Sequence, residues 1–518
     1  MSETTRLSQS ELWARQSAFY QEHGPGAWSD ATLPLYITSN PTFVRAYAEV
    51  IIGYWRDVAA ACDPALPLYV FDLGCGAGRF THGLLGVLEE RFAEWRPPSP
   101  VVVVGVDVVQ PNLDALRQHA MMRDAFAAGR ADLALFDATA DRELALWLSG
   151  ARLDPTTPTN PMVFVANYLF DSLPCDMFCI ERGTLLERRV ATAAEPVVIE
   201  DDWSGIAVFD EPLAHPYYED PDLEQVLRWF GEREDDGFFS IPTAGIRCWK
   251  NLHALSGGQM LMLSADKGGA TLEMAFTRRA NSIQHHGGGC ISLTVNYRAL
   301  AVVVERLGGR VLHRAEESSP LAIVALLSGE DPLDFRKTRA AYRAAIDGFG
   351  PEGFFQLKCV LEELYDQMTL QSLIAWLHLA DGDPLIMLQA APALHAMIAR
   401  ATPAEARAVS GLIEASWARY FPIGDALDLP FQLGRLMLEL DNAERALFFF
   451  ERSVELHGDH PAARCSVAQC QLQLGRAETA AQTLNAAIER YPTIVDSKMV
   501  NLLLYRIGQA LGDAGSDG

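Results

Sequence analysis

The run Leu68-Tyr-Val-Phe-Asp72-Leu-Gly74-Cys-Gly76-Ala-Gly78-Arg-Phe-Thr-His82 decides how this chain is read. A short apolar stretch ends in an acid, a glycine-dense turn follows, and the amphipathic segment Phe80–Arg91 opens behind it. That order is a strand, a tight loop and a helix N-terminus. Glycines at alternate positions permit positive φ and let a ligand lie against bare backbone. The helix start leaves free N–H groups nearby. A dinucleotide fingerprint, G-x-G-x-x-G, would require glycine at position 79, where Arg79 stands. The pattern present is D-x-G-x-G-x-G, with the acid two residues before the first glycine. A cationic ligand without a pyrophosphate would gain from the Asp72 carboxylate and need no phosphate cradle.

Beyond this loop, apolar β-branched runs alternate with helical segments, which predicts an α/β fold with a mostly parallel sheet. Strand one is Leu68–Leu73. Strand two, Val101–Asp107, is a continuous apolar run of the kind covered on both faces. Its terminal Asp107 lies 29 residues past Gly78, where a carboxylate can accept from both hydroxyls of a ribose. The third strand, Asp132–Asp137, ends in another acid, and Asp137 with the Ala138 amide could read an adenine ring. Three successive strand ends carrying acids, after such a loop, point to a nucleoside site. The fourth strand, Met162–Ala166, runs into Asn167-Tyr168-Leu-Phe170-Asp171-Ser-Leu-Pro174. In open α/β sheets chemistry sits at the carboxyl ends of the strands near the switch point, so this loop is where a second substrate should lie.

The glycine loop resembles the nucleoside-binding motif of class I S-adenosylmethionine (SAM)-dependent methyltransferases. The resemblance implies a Rossmann-like seven-stranded sheet and SAM as cofactor, held by Asp72, Gly74, Cys75, Gly76, Gly78, Asp107, Val108, Asp137, Ala138 and Asn167. Within that class, Asn167–Pro174 resembles the N-E-x-F-D-A-L-P loop of the MidA-like family, whose activity is arginine N-methylation of a protein. Met177–Arg182 and Leu186–Val190 resemble the strand pair after that loop, and Gln259–Gly268 resembles the fifth strand, with a D-x-G ending at Asp266. Tyr297–Gly309 resembles the helix before strand six. The likeness covers about residues 20–330. One position departs: the family's glutamate after the asparagine is Tyr168 here. A guanidinium favours bidentate carboxylates, so an arginine acceptor would depend on Asp171, which could instead cap the next helix. The catalytic candidates are Asn167, Asp171 and Tyr168, the last lining the methyl channel.

Residues 1–60 read as a helical extension or lid, with Ser8–Tyr20 amphipathic and Pro41–Ala61 helical behind an Asn40 cap. Trp28, Tyr36 and Thr38 either wall the site or simply pack. A methyltransferase domain spans 61–330, with an insertion at about 175–258. That insertion carries acidic clusters such as Glu200–Asp202, and the aromatics Trp203, Tyr217, Tyr218, Trp229, Phe238 and Phe239, a composition suited to an acceptor pocket or its cover. Gln284-His285-His286-Gly-Gly-Gly289 reads as a polar glycine turn close to the site; adjacent histidines point apart on a strand, and no metal is expected. Arg310–His313 and Leu321–Leu327 supply the last two strands. A helical connector fills 331–425. From 426 to 518 a 34-residue period matches Leu433-Gly434, Ala446 and Phe450 to Val467-Ala468, Ala480 and Leu484, the tetratricopeptide (TPR) pattern of an all-α domain that would hold peptides or partners in its groove or serve dimerisation or packing.

At 518 residues the chain should hold several domains. A formal charge of −25 argues against non-specific nucleic-acid binding and against anionic membranes. Nine cysteines without a C-x-x-C pair, a polar N-terminus and no long apolar run lead to the expectation of a cytoplasmic protein. The expected function is SAM-dependent methylation of a nitrogen on a protein or peptide, arginine being favoured by the resemblance. A small-molecule methyltransferase and a non-catalytic SAM-fold/TPR scaffold are the alternatives, and an oligomer is open.

Overall fold

A computed structural model describes residues 4–29, 36–192, 206–214, 216–233, 235–278, 283–286, 290–314, 321–330, 334–424 and 428–514. Glu200–Trp203 and Gly287–Gly289 lie outside these residues, as does the His285 side chain. The chain divides into two compact units, Met1–Phe354 and Phe355–Gly518.

The first unit is built on a central sheet of seven strands: β1 (Leu68–Leu73), β2 (Val101–Asp107), β3 (Ala131–Leu135), β4 (Met162–Asn167), β5 (Met260–Gly269), β6 (Arg310–Leu312) and β7 (Leu321–Ser328). Their order is β3-β2-β1-β4-β5-β7-β6, with a short rung at Val295–Asn296 beside the end of β5. β1 to β5 run parallel, while β7 is antiparallel to both β5 and β6. The chain lays strands outward from β1 to β3 and then returns to place β4 on the other side of β1. A crevice must open where that order reverses. All six residues of β1 are buried, and Phe71 stacks on Phe164 of β4 at 5.1 Å. β3 stops two residues short of Asp137, which lies in a turn where its Oδ1 accepts from the Thr139 N–H and hydroxyl.

Helix α1 (Glu11–His23) starts at Ser10, whose hydroxyl oxygen accepts the Leu12 N–H. Helix α2 (Pro41–Val58) starts at Asn40, whose Oδ1 takes the Phe43 N–H, with Pro41 at the first position. Helix α3 (Arg79–Phe92) follows the glycine loop. Helix α4 (Arg336–Tyr342) packs on α2, where the Asp57 carboxylate accepts the N–H groups of Lys337 and Thr338. The helices meet closely at Gly53: a Cβ there would stand 3.0 Å from that of Ala341. Between β4 and β5 a second, antiparallel sheet takes the order 237–241, 176–181, 184–192, 206–212. Its Phe178 packs against Tyr217, Tyr218 and Phe239, so these aromatics serve a core.

In the second unit, Leu429–Glu439 pairs with Ala443–His457 and Pro461–Gln473 with Ala477–Arg490, and Lys498–Ala514 follows. Ala446 and Ala480 are fully buried, and a Cβ on Gly434 would come within 2.8 Å of the Phe450 ring. Small side chains at these positions set the helix spacing, as the period predicts. No helix among the described residues is long and apolar enough to cross a membrane.

Candidate active site

The carboxyl ends of β1, β2 and β4 open into a cavity of about 400 Å³. Every residue that the sequence assigned to cofactor binding lines it, except Gly78. Gly78 is instead the N-cap of α3, at φ +81°, and its bare face lies against Leu116. Gly76, at φ +52°, faces the Trp28 indole so closely that a Cβ would stand 2.8 Å from the ring. A side chain at 76 would therefore be both strained and obstructed.

Asp107 holds this loop together. Its Oδ2 accepts the Gly76 N–H at 2.8 Å and the Asn112 amide at 3.3 Å, while Oδ1 accepts the Val109 N–H at 2.8 Å. A carboxylate offers about four lone-pair sites, so capacity remains for a hydroxyl donor. Burial pushes the Asp107 carboxyl above the usual carboxylate range, and these hydrogen bonds pull it back. Asp72 accepts the Thr81 hydroxyl at 2.5 Å. Its carboxyl is pushed up to about 7 by burial, against the pull of Thr81 and with a further push from the Asp107 charge.

At the other end, Asn167 Oδ1 accepts the Tyr47 hydroxyl at 2.9 Å, and its buried Nδ2 has no acceptor among the described residues. Tyr168 follows in the left-handed region at φ +49°, its N–H donating to the Ala265 carbonyl at 2.9 Å. A bulky residue held at positive φ is a conformation that functional loops retain against strain. Asp171 sits inside the single turn Phe170–Ser172, whose N-cap is Leu169, so it does not cap a helix. Its carboxyl is buried, lines the cavity and accepts the Ser172 hydroxyl at 2.9 Å. Asn167, Tyr168 and Asp171, the three catalytic candidates, are thus brought together.

Several lining residues have no counterpart in the sequence reading. Trp13, Gln16, Ser17 and Tyr20 of α1 roof the cavity, with Trp28 and Thr38, whereas Tyr36 does not line it. Gln16 pins the roof: its Nε2 donates to the Ser172 carbonyl at 3.0 Å, and its Oε1 accepts the Ile291 N–H at 3.1 Å. Tyr20 stacks on Trp28 at 6.1 Å. Lys267 lines the cavity with its ammonium on Gln284 Oε1 at 2.9 Å, next to His286, whose Nε2 meets the Ser292 hydroxyl at 2.9 Å. Among the described residues none of 176–258 lines the cavity; Trp13, Gln16, Ser17 and Tyr20 of α1, with His286 and Ser292, line it instead. Among the described residues no three His, Cys, Asp or Glu side chains gather as a metal-ligand set.

The family described as "Putative S-adenosyl-L-methionine-dependent methyltransferase" matches residues 48–310, just over half of the chain. This chain belongs to that methyltransferase family. SAM is the cofactor of the family, and the bare glycine loop, the acids at the strand ends and the open Asn167 amide fit a cationic nucleoside. The tetratricopeptide repeat family matches residues 432–503. A crystal structure of an uncharacterised protein from Burkholderia thailandensis is similar to this chain at 15% identity and TM-score 0.41, covering 64% of this chain and 90% of that one. A second structure from that organism, of a protein of the same superfamily bound to S-adenosyl-homocysteine, is similar at 14% identity and TM-score 0.40, covering 62% and 88%. No curated protein matches the chain.

Proposed function

We propose that this methyltransferase acts on a nitrogen of a protein or peptide acceptor, with arginine the acceptor that the MidA-like resemblance favours. The observation that carries the reading is the cavity itself, which joins the glycine loop at one end to a buried carboxyl, Asp171, at the other. SAM, when bound, supplies an electrophilic methyl group. The chain's own work is alignment and exclusion of water, and the α1 roof serves both. A nitrogen that gains a methyl group must give up a proton, and Asp171 is placed to orient the nitrogen and accept that proton. The open Nδ2 of Asn167 would fix the donor's orientation, and Tyr168 would narrow the channel between the two ends. The TPR region would hold the acceptor protein or a partner. All nine cysteines are free, which suits a reducing cytoplasm.

The roof gives a second reading some weight, since α1 closes over the acceptor end and would suit a small molecule. Incubation with labelled SAM and a cell lysate separates the two. A labelled protein band supports the first reading and a labelled small product the second. SAM binding without any label would leave a scaffold and overturn both.

A further inference from the structure

Asp171 is not the only charge at the acceptor end. Lys267 lines the same cavity, and among the described residues it is the one lysine or arginine that does so. The strand register explains its place. Ala265 of β5 stands beside Asn167 of β4, and Lys267 lies two residues further along, on the same face of the sheet. Its ammonium reaches the strand pair 284–286 and 290–292, donating to Gln284 Oε1 at 2.9 Å. His286 and Ser292 of that pair line the cavity as well. Asp171 and Lys267 thus bring opposite charges into one cavity, yet neither has an ion-pair partner among the described residues. The carboxyl accepts the Ser172 hydroxyl, and the ammonium rests on a neutral amide. Burial pushes the Asp171 carboxyl up, and the Ser172 hydroxyl and the Lys267 charge pull it back. Burial and the Lys267 charge hold His286 below its ordinary value, so that its imidazole offers hydrogen bonds and no charge.

We infer that Lys267 is a specificity-determining residue: the acceptor brings its own carboxylate close to the nitrogen that is methylated, with Asp171 facing the nitrogen and Lys267 the carboxylate. This deepens the nitrogen-methylation reading and rests on it for its functional meaning. A bare guanidinium is best held between carboxylates. The family resemblance leads to a glutamate where Tyr168 stands, and that residue would supply the second one. Here the second charge is positive, so a bare guanidinium would set one cation beside another. An acceptor that carries a carboxylate as well satisfies both charges at once. A lysine ammonium has three donors, and Gln284 takes one of them. Two are left for a carboxylate, with the Ser292 hydroxyl and the His286 ring on the same wall. Such a carboxylate belongs to a free amino acid or to an acidic side chain beside the acceptor residue of a peptide.

The test is calorimetry on the full chain loaded with S-adenosyl-homocysteine, using two pairs of probes. The first pair is L-arginine and agmatine, which is arginine without its carboxylate. The second is a capped peptide with glutamate after its arginine and the same peptide with glutamine there. In at least one pair the probe with the carboxylate should bind about tenfold more tightly or better, and which pair responds tells an amino acid from an acidic peptide. Lys267→Met should erase that preference while SAM affinity stays within about twofold. Circular dichroism checks that the variant folds, and the comparison within each pair on the unmodified chain stands without it. Equal binding within both pairs, no binding of any probe, or a preference that survives Lys267→Met overturns the proposal. So does a fall in SAM affinity in Lys267→Met, which would put the ammonium on the donor's own carboxylate. No methyl transfer is read, so loss of this proposal leaves the nitrogen reading standing, and a lysate assay without labelled product leaves the binding preference standing.

Discussion

The Tyr47 hydroxyl donates to Asn167 Oδ1 at 2.9 Å, joining helix α2 to the last residue of β4. A primary amide can turn over in its socket unless something distinguishes oxygen from nitrogen. Tyr47 makes that distinction, and it leaves Nδ2 as the open donor. Tyr47→Phe should cost one hydrogen bond, about 1 kcal/mol, and free the amide to turn. Methyl-transfer turnover is expected to fall about tenfold, with SAM affinity changing much less. Single-turnover rates beside calorimetry check this, and an unchanged rate would remove Asn167 from the site.

Asp107 ties Gly76, Val109 and Asn112 to one carboxylate. Asp107→Ala removes those three anchors together with any bond to a ribose, at about 1 kcal/mol or more for each. SAM affinity should fall by at least about a hundredfold. Unchanged affinity by calorimetry would contradict the cofactor assignment at this residue.

Asp72 is expected to make donor binding depend on pH. Its carboxyl stands at about 7 in the folded chain against an ordinary 3.8, so its contribution to stability is fully present below the lower value and is lost as pH rises through about 7. The physical reason is that above 7 folding must bury a charge. A cationic sulfonium favours the ionised form, so SAM binding near pH 6 should release a proton, whereas binding of the uncharged thioether product should not. Calorimetry in two buffers of different ionisation enthalpy measures that proton, and Asp72→Asn should abolish it.

Gln16 is the pin of the roof, with both ends of its amide engaged. Gln16→Leu keeps the bulk and removes both bonds. The melting free energy should drop by about 1–3 kcal/mol, and SAM should leave faster while its entry rate stays within about twofold. Stopped-flow displacement of bound SAM reads both rates.

The sheet was legible because its signals are local. β1 and β2 start and stop where their apolar runs do, and Asn40-Pro41 announces the start of α2. Asn167, Tyr168 and Asp171 could be placed on one cavity because an open sheet gathers its strand ends on one side. The roof could not. Trp13, Gln16 and Tyr20 follow ordinary amphipathic spacing, and a helix that covers a cavity has the same pattern as one that covers a core. The insertion aromatics misled for the opposite reason: Tyr217 and Tyr218 have a composition suited to a pocket, yet Phe178 offers them a core.

The three-way hold of Asp107 has a consequence for the heat and entropy of binding. Because the loop is tied down by bonds made within the fold, its conformational freedom is already gone when the donor arrives. Association then spends little on ordering backbone. A nucleoside bound at this loop would meet a mould already finished during folding.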